Sequence, residues 1–369
     1  MACLRRQATM PNAKSKSERI LDKAIDFGKQ LFAAVLRSRT GALSELARLL
    51  RFQRGTKGFE REYSRLLPLI TEIKEAFESA VLASFPDEGL RLGIIDDSAV
   101  KKKGKQFPKE RILHDHSTGG FFPGMNVLTS GVYQNGKFAA VSSQIVGKEQ
   151  SKLELAQQEV GILFDKYFVD VVLFDSWYCT SPLIGHIADM GKLFISRARC
   201  NSKVEFYDEE ARLDALFRAL PHREYEQICI QGKSYWIKDC VFDLKTQGML
   251  RVIVSKEGQH DEPVFLVTNA TNFSAQFVVK LYLRRFAIEV FFKDVKQHLN
   301  FETFLCRKET KWDLHLLLTN VLHWAMQKRH SISKIVRSIR ENIHDCLLFI
   351  NQNCLLNKFF DELTERCRT

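Results

Sequence analysis

The 369-residue sequence predicts an α/β protein: a mixed-sheet core dressed with helices, a β-rich insertion within that core, and a helical, basic amino-terminal lobe. Three observations predict it. From Leu92 onward, short apolar runs of strand length alternate with stretches of helical periodicity. Between about Lys203 and Thr268, β-type runs follow one another with only turn residues between them. Before Ser84, apolar residues instead recur near every third or fourth position.

The elements follow in order. Lys14–Ala83 reads as helical: RILDKAIDFGKQLFAAVL comes first, Glu45–Phe52 starts after Gly41-Ala-Leu-Ser and is broken by RGTKGFE, and Tyr63–Leu82 stops before SFPDEG. LGIID is a short strand. GMNVLTSGVY and KFAAVSSQIV flank Gln134-Asn-Gly-Lys137, whose Asn-Gly pair supplies the two positive-φ residues of a tight hairpin. Lys152–Phe164 is a helix, Asp170–Phe174 a buried-type strand, Pro182–Met190 a short helix and KLFISRA a strand. That succession requires a sheet with both parallel and antiparallel neighbours. KVEFY, YEQICI, SYWIKDCVFDL and MLRVIVSK form the insertion, and PVFLVT rejoins the main sheet. Trp312–Gln327 and Ser331–Phe360 are helical. The division is a lobe over 1–89, core over 90–202, insertion over 203–260, core again over 261–327 and a helical tail over 328–369.

The 55 Lys and Arg exceed the 44 Asp and Glu, for a net charge of +11 and an anionic partner. The excess is uneven. Residues 1–61 hold fourteen basic side chains against five acidic ones, and VKKKGKQFPKER, Val100–Arg111, is a second focus. A lobe of this kind suits duplex DNA, with a solvated helical cap as the alternative. Nine scattered cysteines without a C-x-x-C pair exclude a disulfide scaffold and a zinc ribbon, and indicate a reducing compartment. The first residues, MACLRRQATMPNAKSK, lack the apolar core of a signal peptide, and no run is long enough to span a bilayer. A cytoplasmic protein is expected. No G-x-x-x-x-G-K-S/T loop is present, so ATP is not implied.

Three carboxylates stand out. Asp96 ends LGII and Asp175 ends VDVVLF, so both sit where strand tips carry sites. Glu289 belongs to an apolar helix on which Tyr282, Arg285, Glu289, Lys293 and Lys296 follow one another at three- or four-residue spacing, along one face. Hard oxygen ligands of this kind hold paired divalent cations for phosphoryl transfer. Each acid also has a plainer reading. Asp96 or Asp97 caps a turn, Asp175 caps the helix near Ser181, and Glu289 pairs with Arg285 or Lys293. Asp96 and Asp97 point to opposite faces of a strand, so one of them at most faces the site. His298 and His323 have no ligand-spaced partners and are read as structural.

Ile94-Ile-Asp-Asp-Ser98, Leu173-Phe-Asp-Ser-Trp177 and Tyr282-Leu-Arg-Arg-Phe-Ala-Ile-Glu289 with Lys296 resemble the three catalytic segments of DDE-type insertion-sequence transposases of the IS-four-like group. The third has the spacing Tyr, two residues, Arg, three residues, Glu, six residues, Lys. Phe-Leu-Val-Thr-Asn269 resembles the segment before the glutamate helix, and the likeness covers about residues 90–327. Phe286 departs from it, standing where many relatives have tryptophan.

The resemblance implies a ribonuclease-H-like core, with Asp96, Asp175 and Glu289 as catalytic ligands of two Mg²⁺ ions that Mn²⁺ can replace. It favours Asp96 over Asp97 as the ligand. It implies double-stranded DNA as partner, both as terminal inverted repeats and as target, and a homodimer in the synaptic complex. Cut-and-paste movement follows, by a hairpin step in several relatives, in a prokaryotic, nucleoid-associated setting. Tyr282, Arg285 and Lys296 then contact the transposon end, and Lys101, Lys102, Lys103 and Lys105 contact DNA beside the site, a solvated charge run being the alternative for these lysines. Asp115 and His116 resemble a further family segment with a supporting role. Trp177 and Tyr178 shape the loop after Asp175 or simply pack there; Lys293 and Asp97 complete the surroundings. Competing readings are a stand-alone metal-dependent nuclease and an inactive DNA-binding derivative. A glycoside hydrolase leaves the basic lobe and the Arg285/Lys296 face without a role.

Overall fold

The computed structural model describes residues 55–326 apart from 103–106, 116–117, 207–208, 219, 245–246, 259–260, 300, 303 and 305, together with 354–366 and positions 30 and 34. The helical runs expected within 14–52, and most of the one over 331–360, lie outside the described residues.

The described chain starts with α1 (Gly55–Leu66), a 3-10 turn (Leu67–Leu69) and α2 (Ile70–Leu82). The helical run expected from Tyr63 starts earlier, since α1 takes in Gly55–Glu60 as well. The two glycines disfavour a helix locally, but Tyr63 and Leu66 are buried, and packing outweighs propensity. α2 buries Ile73, Ala76, Phe77 and Val81 along one face. That face meets α8 (Glu309–Met326), with Phe77 edge-on to Trp324 at 5.7 Å. The Tyr63 hydroxyl donates to the Lys311 carbonyl at 3.2 Å. α9 (Cys354–Arg366) closes over α2, where Arg366 reaches Glu75 and Ser79.

The sheet is built from β1 (Leu92–Lys101), β2 (Arg111–Asp115), β3 (Gly120–Gln134), β4 (Lys137–Ile145), β5 (Val171–Phe174) and β6 (Leu193–Arg197). β3 pairs antiparallel with β1 and β4, while β1, β5 and β6 run parallel. The central order is therefore β4-β3-β1-β5-β6, with β2 added at the far end of β3. Asn135 (φ 50°) and Gly136 (φ 81°) make the two-residue hairpin that the Asn-Gly pair predicts. A bulge separates Ser130 from Gly131, where a Cβ would collide with the Phe138 ring and the Ala139 carbonyl.

Helices cover both faces. α3 (Lys152–Tyr167) is opened by a Ser151/Glu154 capping box and buries Leu155, Val160, Leu163 and Phe164. α4 (Ser181–Asp189) follows β5. On β4, Ser142 and Gln144 face Glu159 of α3 while Ser143 faces Asn320 of α8, as strand alternation requires.

β7 (Lys203–Phe206), β8 (Glu209–Arg212), α5 (Leu213–Arg218), β9 (Glu226–Ile230), β10 (Lys233–Leu244) and β11 (Gly248–Lys256) lie between β6 and β12 (Val264–Thr268). β12 pairs antiparallel with β6, as expected of the rejoining strand, and β11 and β10 continue from it. The result is one 12-stranded sheet. Continuation removes the free edge that β6 would otherwise expose. Asn269 locks the junction: its side chain accepts from the Phe194 amide at 3.0 Å and donates to the Lys192 carbonyl at 2.8 Å.

Candidate active site

β1 and β5 pair from Leu92↔Val171 to Ile94↔Leu173. Carried two residues further, that register sets Asp96 level with Asp175, immediately past the end of β5. Asp175 is the strand-end acid the sequence predicts. Asp96 is not: β1 runs on to Lys101, with Asp96 opposite Thr129 of β3. β3 is long enough to carry the antiparallel ladder beyond the parallel one, so Asp96 lies mid-strand at the level of its neighbour's tip.

The glutamate segment also departs from expectation. It is not one helix but α6 (Ala275–Tyr282), a 3-10 turn (Leu283–Arg285) and α7 (Phe286–His298). In the tighter turn, residues three apart eclipse. The Arg285 guanidinium accordingly lies 5.7 Å from the Tyr282 ring. It donates to Asp96 Oδ2 at 3.1 Å and also to Glu289 Oε1, tying the β1 acid to the α7 acid. The plainer Arg285–Glu289 pair is thus present, with Asp96 included in it.

Burial, and secondarily the nearby Asp175, push the Asp96 carboxyl up to about 7, while Arg285 and the Asp97 amide hold it down. Asp175 accepts from the Trp177 amide at 2.9 Å and does not cap α4, whose cap residue is Thr180. Burial pushes the Tyr282 phenol up to about 12, so it remains a neutral donor.

Asp97 faces the other way. Its Oδ1 accepts from Lys152 Nζ and from the Tyr178 hydroxyl, each at 2.6 Å. Tyr178 is fully buried, which excludes it from contact with DNA, and burial with the adjacent Asp97 keeps its phenol protonated. Trp177 is 43% exposed and packs under Lys152, whose Nζ lies 3.3 Å from the ring centroid.

The basic residues divide. Lys102 was expected on DNA but is 3% exposed, donating to the carbonyls of Glu302 (2.5 Å) and Phe304 (3.1 Å) and lying 4.3 Å from the Trp312 ring centre. Burial lowers its pKa to about 7. It is a core lysine, turned inward just past the end of β1 while Lys101 points out. Lys101 is exposed and pairs with Asp115 at 2.7 Å. Lys103, Lys105 and His116 lie outside the described residues. Asp115, opposite Gly120, sits nine residues along β3 from the partner of Asp96, roughly 30 Å at the usual strand rise. That separation removes it from direct support of the site. Lys296 donates to the Ala99 carbonyl at 3.0 Å and pairs with Glu302 at 2.9 Å, stapling α7 to β1. Phe286 and Lys293 are exposed on α7. His323 is buried 3.7 Å from Asp294, in keeping with a structural role.

A cavity of about 470 Å³ opens beside Asp175. Asp175, Tyr282 and Arg285 line it from the core, Tyr235 and Glu257 from the insertion. Arg197, missed in the sequence, lines it too. Phe174↔Ser196 pairing sets Arg197 level with Asp175. A basic residue closing the apolar run LFIS was the available signal.

Among the described residues, no three His, Cys, Asp or Glu side chains converge as a ready metal cage. The Arg285 guanidinium stands between Asp96 and Glu289, donating to both. The donor set is all oxygen, and a crowded Asp96 is the environment a divalent cation relieves. The residues fit hard divalent ions on those grounds.

A β4-β3-β1-β5-β6 sheet with helices on both faces, and acids where β1 and β5 part, defines the ribonuclease-H-like class of α/β protein. The chain belongs to the family described as Transposase DDE domain, which matches residues 87–324. It is a DDE-type transposase, and DNA is the substrate class that membership implies. A comparison with curated proteins found no match. No helix among the described residues is long and apolar enough to cross a membrane.

Proposed function

We propose that this protein cleaves DNA at the ends of an insertion element of the IS-four-like group and joins the freed 3′ ends to target DNA, with Asp96, Asp175 and Glu289 as ligands of two Mg²⁺ ions. Mn²⁺ substitutes. The observation that carries the reading is the level placement of Asp96 and Asp175 on neighbouring parallel strands, with Arg285 linking Asp96 to Glu289. When bound, such paired ions lower the pKa of an attacking water or 3′-hydroxyl and stabilise charge on the leaving oxygen.

The protein's own groups do the rest. Arg285 presents a planar fork beside the acids, suited to a backbone phosphate. Tyr282, a neutral phenol on the cavity wall, stacks or donates at the element end. Lys296 keeps the Glu289 helix against β1. Lys101, with Lys103 and Lys105, contributes phosphate contacts flanking the site. A homodimer holds both ends together, residues 1–89 supply end binding, and the protein works on nucleoid DNA in a prokaryotic cytoplasm.

The test is cleavage and joining of a duplex carrying the ends that flank this gene, in Mg²⁺, with Asp175→Ala beside the intact protein. Products from the intact protein alone support the reading. Cleavage that survives in Asp175→Ala refutes the ligand assignment.

A further inference from the structure

The ladder that sets β1 beside β5 stops at Ile94↔Leu173, two residues short of Asp96 and Asp175. Beyond it, backbone pairing between these two strands does not hold the aspartates at a fixed separation. A side-chain bridge crosses at that level. Asp97, next to Asp96, accepts from the hydroxyl of Tyr178, three residues past Asp175. The turn carrying Tyr178 is itself folded onto Asp175: the Trp177 amide donates to its carboxylate at 2.9 Å and the Tyr178 amide to its carbonyl at 3.2 Å. Lys152, the first residue of α3, seals the bridge from outside through its ion pair with Asp97 and its seat on Trp177.

We infer that Asp97, Tyr178 and Lys152 form a positioning clamp that sets the spacing of Asp96 and Asp175. The inference rests on the proposed metal-ligand role of those two acids. Alternation along β1 turns the two adjacent aspartates to opposite faces and gives them separate tasks: Asp96 faces Arg285 and Asp97 faces the clamp. The Lys152 and Asp97 side chains are 14% and 16% exposed, so water screens their pair weakly. Tyr178 is fully enclosed, and its single oxygen bridges the end of the ladder.

The test uses full-length Tyr178→Phe, which removes one oxygen and keeps the ring, with Asp97→Asn and Lys152→Met alongside. Mn²⁺ alone is titrated calorimetrically into each, the metal-free proteins are melted, and cleavage is followed against Mg²⁺ concentration. Groups that hold ligands in place change metal affinity or activity by about 10- to 100-fold. A loss of that order in Mn²⁺ affinity and kcat is expected for Tyr178→Phe, with duplex-end affinity retained. Lys152→Arg, keeping a cation over Trp177, is expected to restore most of what Lys152→Met loses. Unchanged Mn²⁺ affinity in Tyr178→Phe overturns the clamp, whatever happens to the melting temperature. Asp96→Asn separates the two failures. If it abolishes Mn²⁺ binding while Tyr178→Phe does not weaken it, the clamp alone is wrong; if it leaves Mn²⁺ binding intact, the ligand assignment falls and the clamp with it.

Discussion

At Glu289 the carboxylate is matched to one guanidinium and is 40% exposed, so little of the fold depends on its charge. Glu289→Gln is expected to keep the melting temperature and most DNA binding while cleavage is lost; a variant that still cuts removes Glu289 from the proposed ligands. Lys102 makes the opposite kind of claim. Its folded pKa lies near 7 against 10.5 for an ordinary lysine, with burial as the main cause and Glu302 opposing it. Between those values the unfolded chain binds the extra proton, so stability rises with pH; below about 7 both states carry it and that gain is gone. Lys102→Met removes the titrating group. Denaturant titrations from pH 6 to 10 are expected to show wild type gaining stability relative to the variant as pH rises through 7 and beyond, roughly in step with linkage. A pH-independent difference refutes the assignment.

Two elements carry the site by departing from regularity. The 3-10 turn Leu283–Arg285 brings Arg285 back over Tyr282 and into reach of both Asp96 and Glu289. Arg285→Ala is expected to impair end processing far more than stability, and unchanged turnover with intact duplex ends removes that role. The second is the bulge at Gly131. Its missing side chain admits the Phe138 ring, which in turn meets Phe291 of the glutamate helix at 5.9 Å. Overpacking of a dense core costs about 1–3 kcal/mol. Gly131→Ala is expected to lose stability on that order by equilibrium unfolding, and a neutral result refutes the packing claim.

Over the whole molecule, the helices between residues 55 and 82 do not stand apart. α2 lies between α8 and α9, and Tyr63 of α1 bonds to α8, so residues 55–82 complete the core they precede. A chain starting at residue 83 would expose the α8 surface around Trp324. It is expected to aggregate or melt far below the intact protein, as judged by light scattering and by tryptophan fluorescence. A monomeric truncation with native stability contradicts this packing. The net charge of +11 acts at the same scale, since affinity for duplex DNA is expected to fall steeply with salt as phosphate counterions are released.

The sequence by itself determined the α/β class, the Asn135-Gly136 hairpin and the order of core elements, because strand and helix periodicities and turn chemistry are local properties. It also marked Asp96, Asp175, Arg285 and Glu289, since an acid closing an apolar run and a polar stripe on an apolar helix are visible within a few residues. Tertiary structure alone decided what depends on register and on neighbours distant in the chain. β3 outruns β5 and leaves Asp96 mid-strand; Lys102 turns into the core under Trp312; Arg197 comes level with Asp175; and Tyr178 reaches across to Asp97. None of these follows from the residues beside it. Strand pairing and side-chain packing join segments tens to hundreds of positions apart, and only the folded chain brings them within hydrogen-bonding distance.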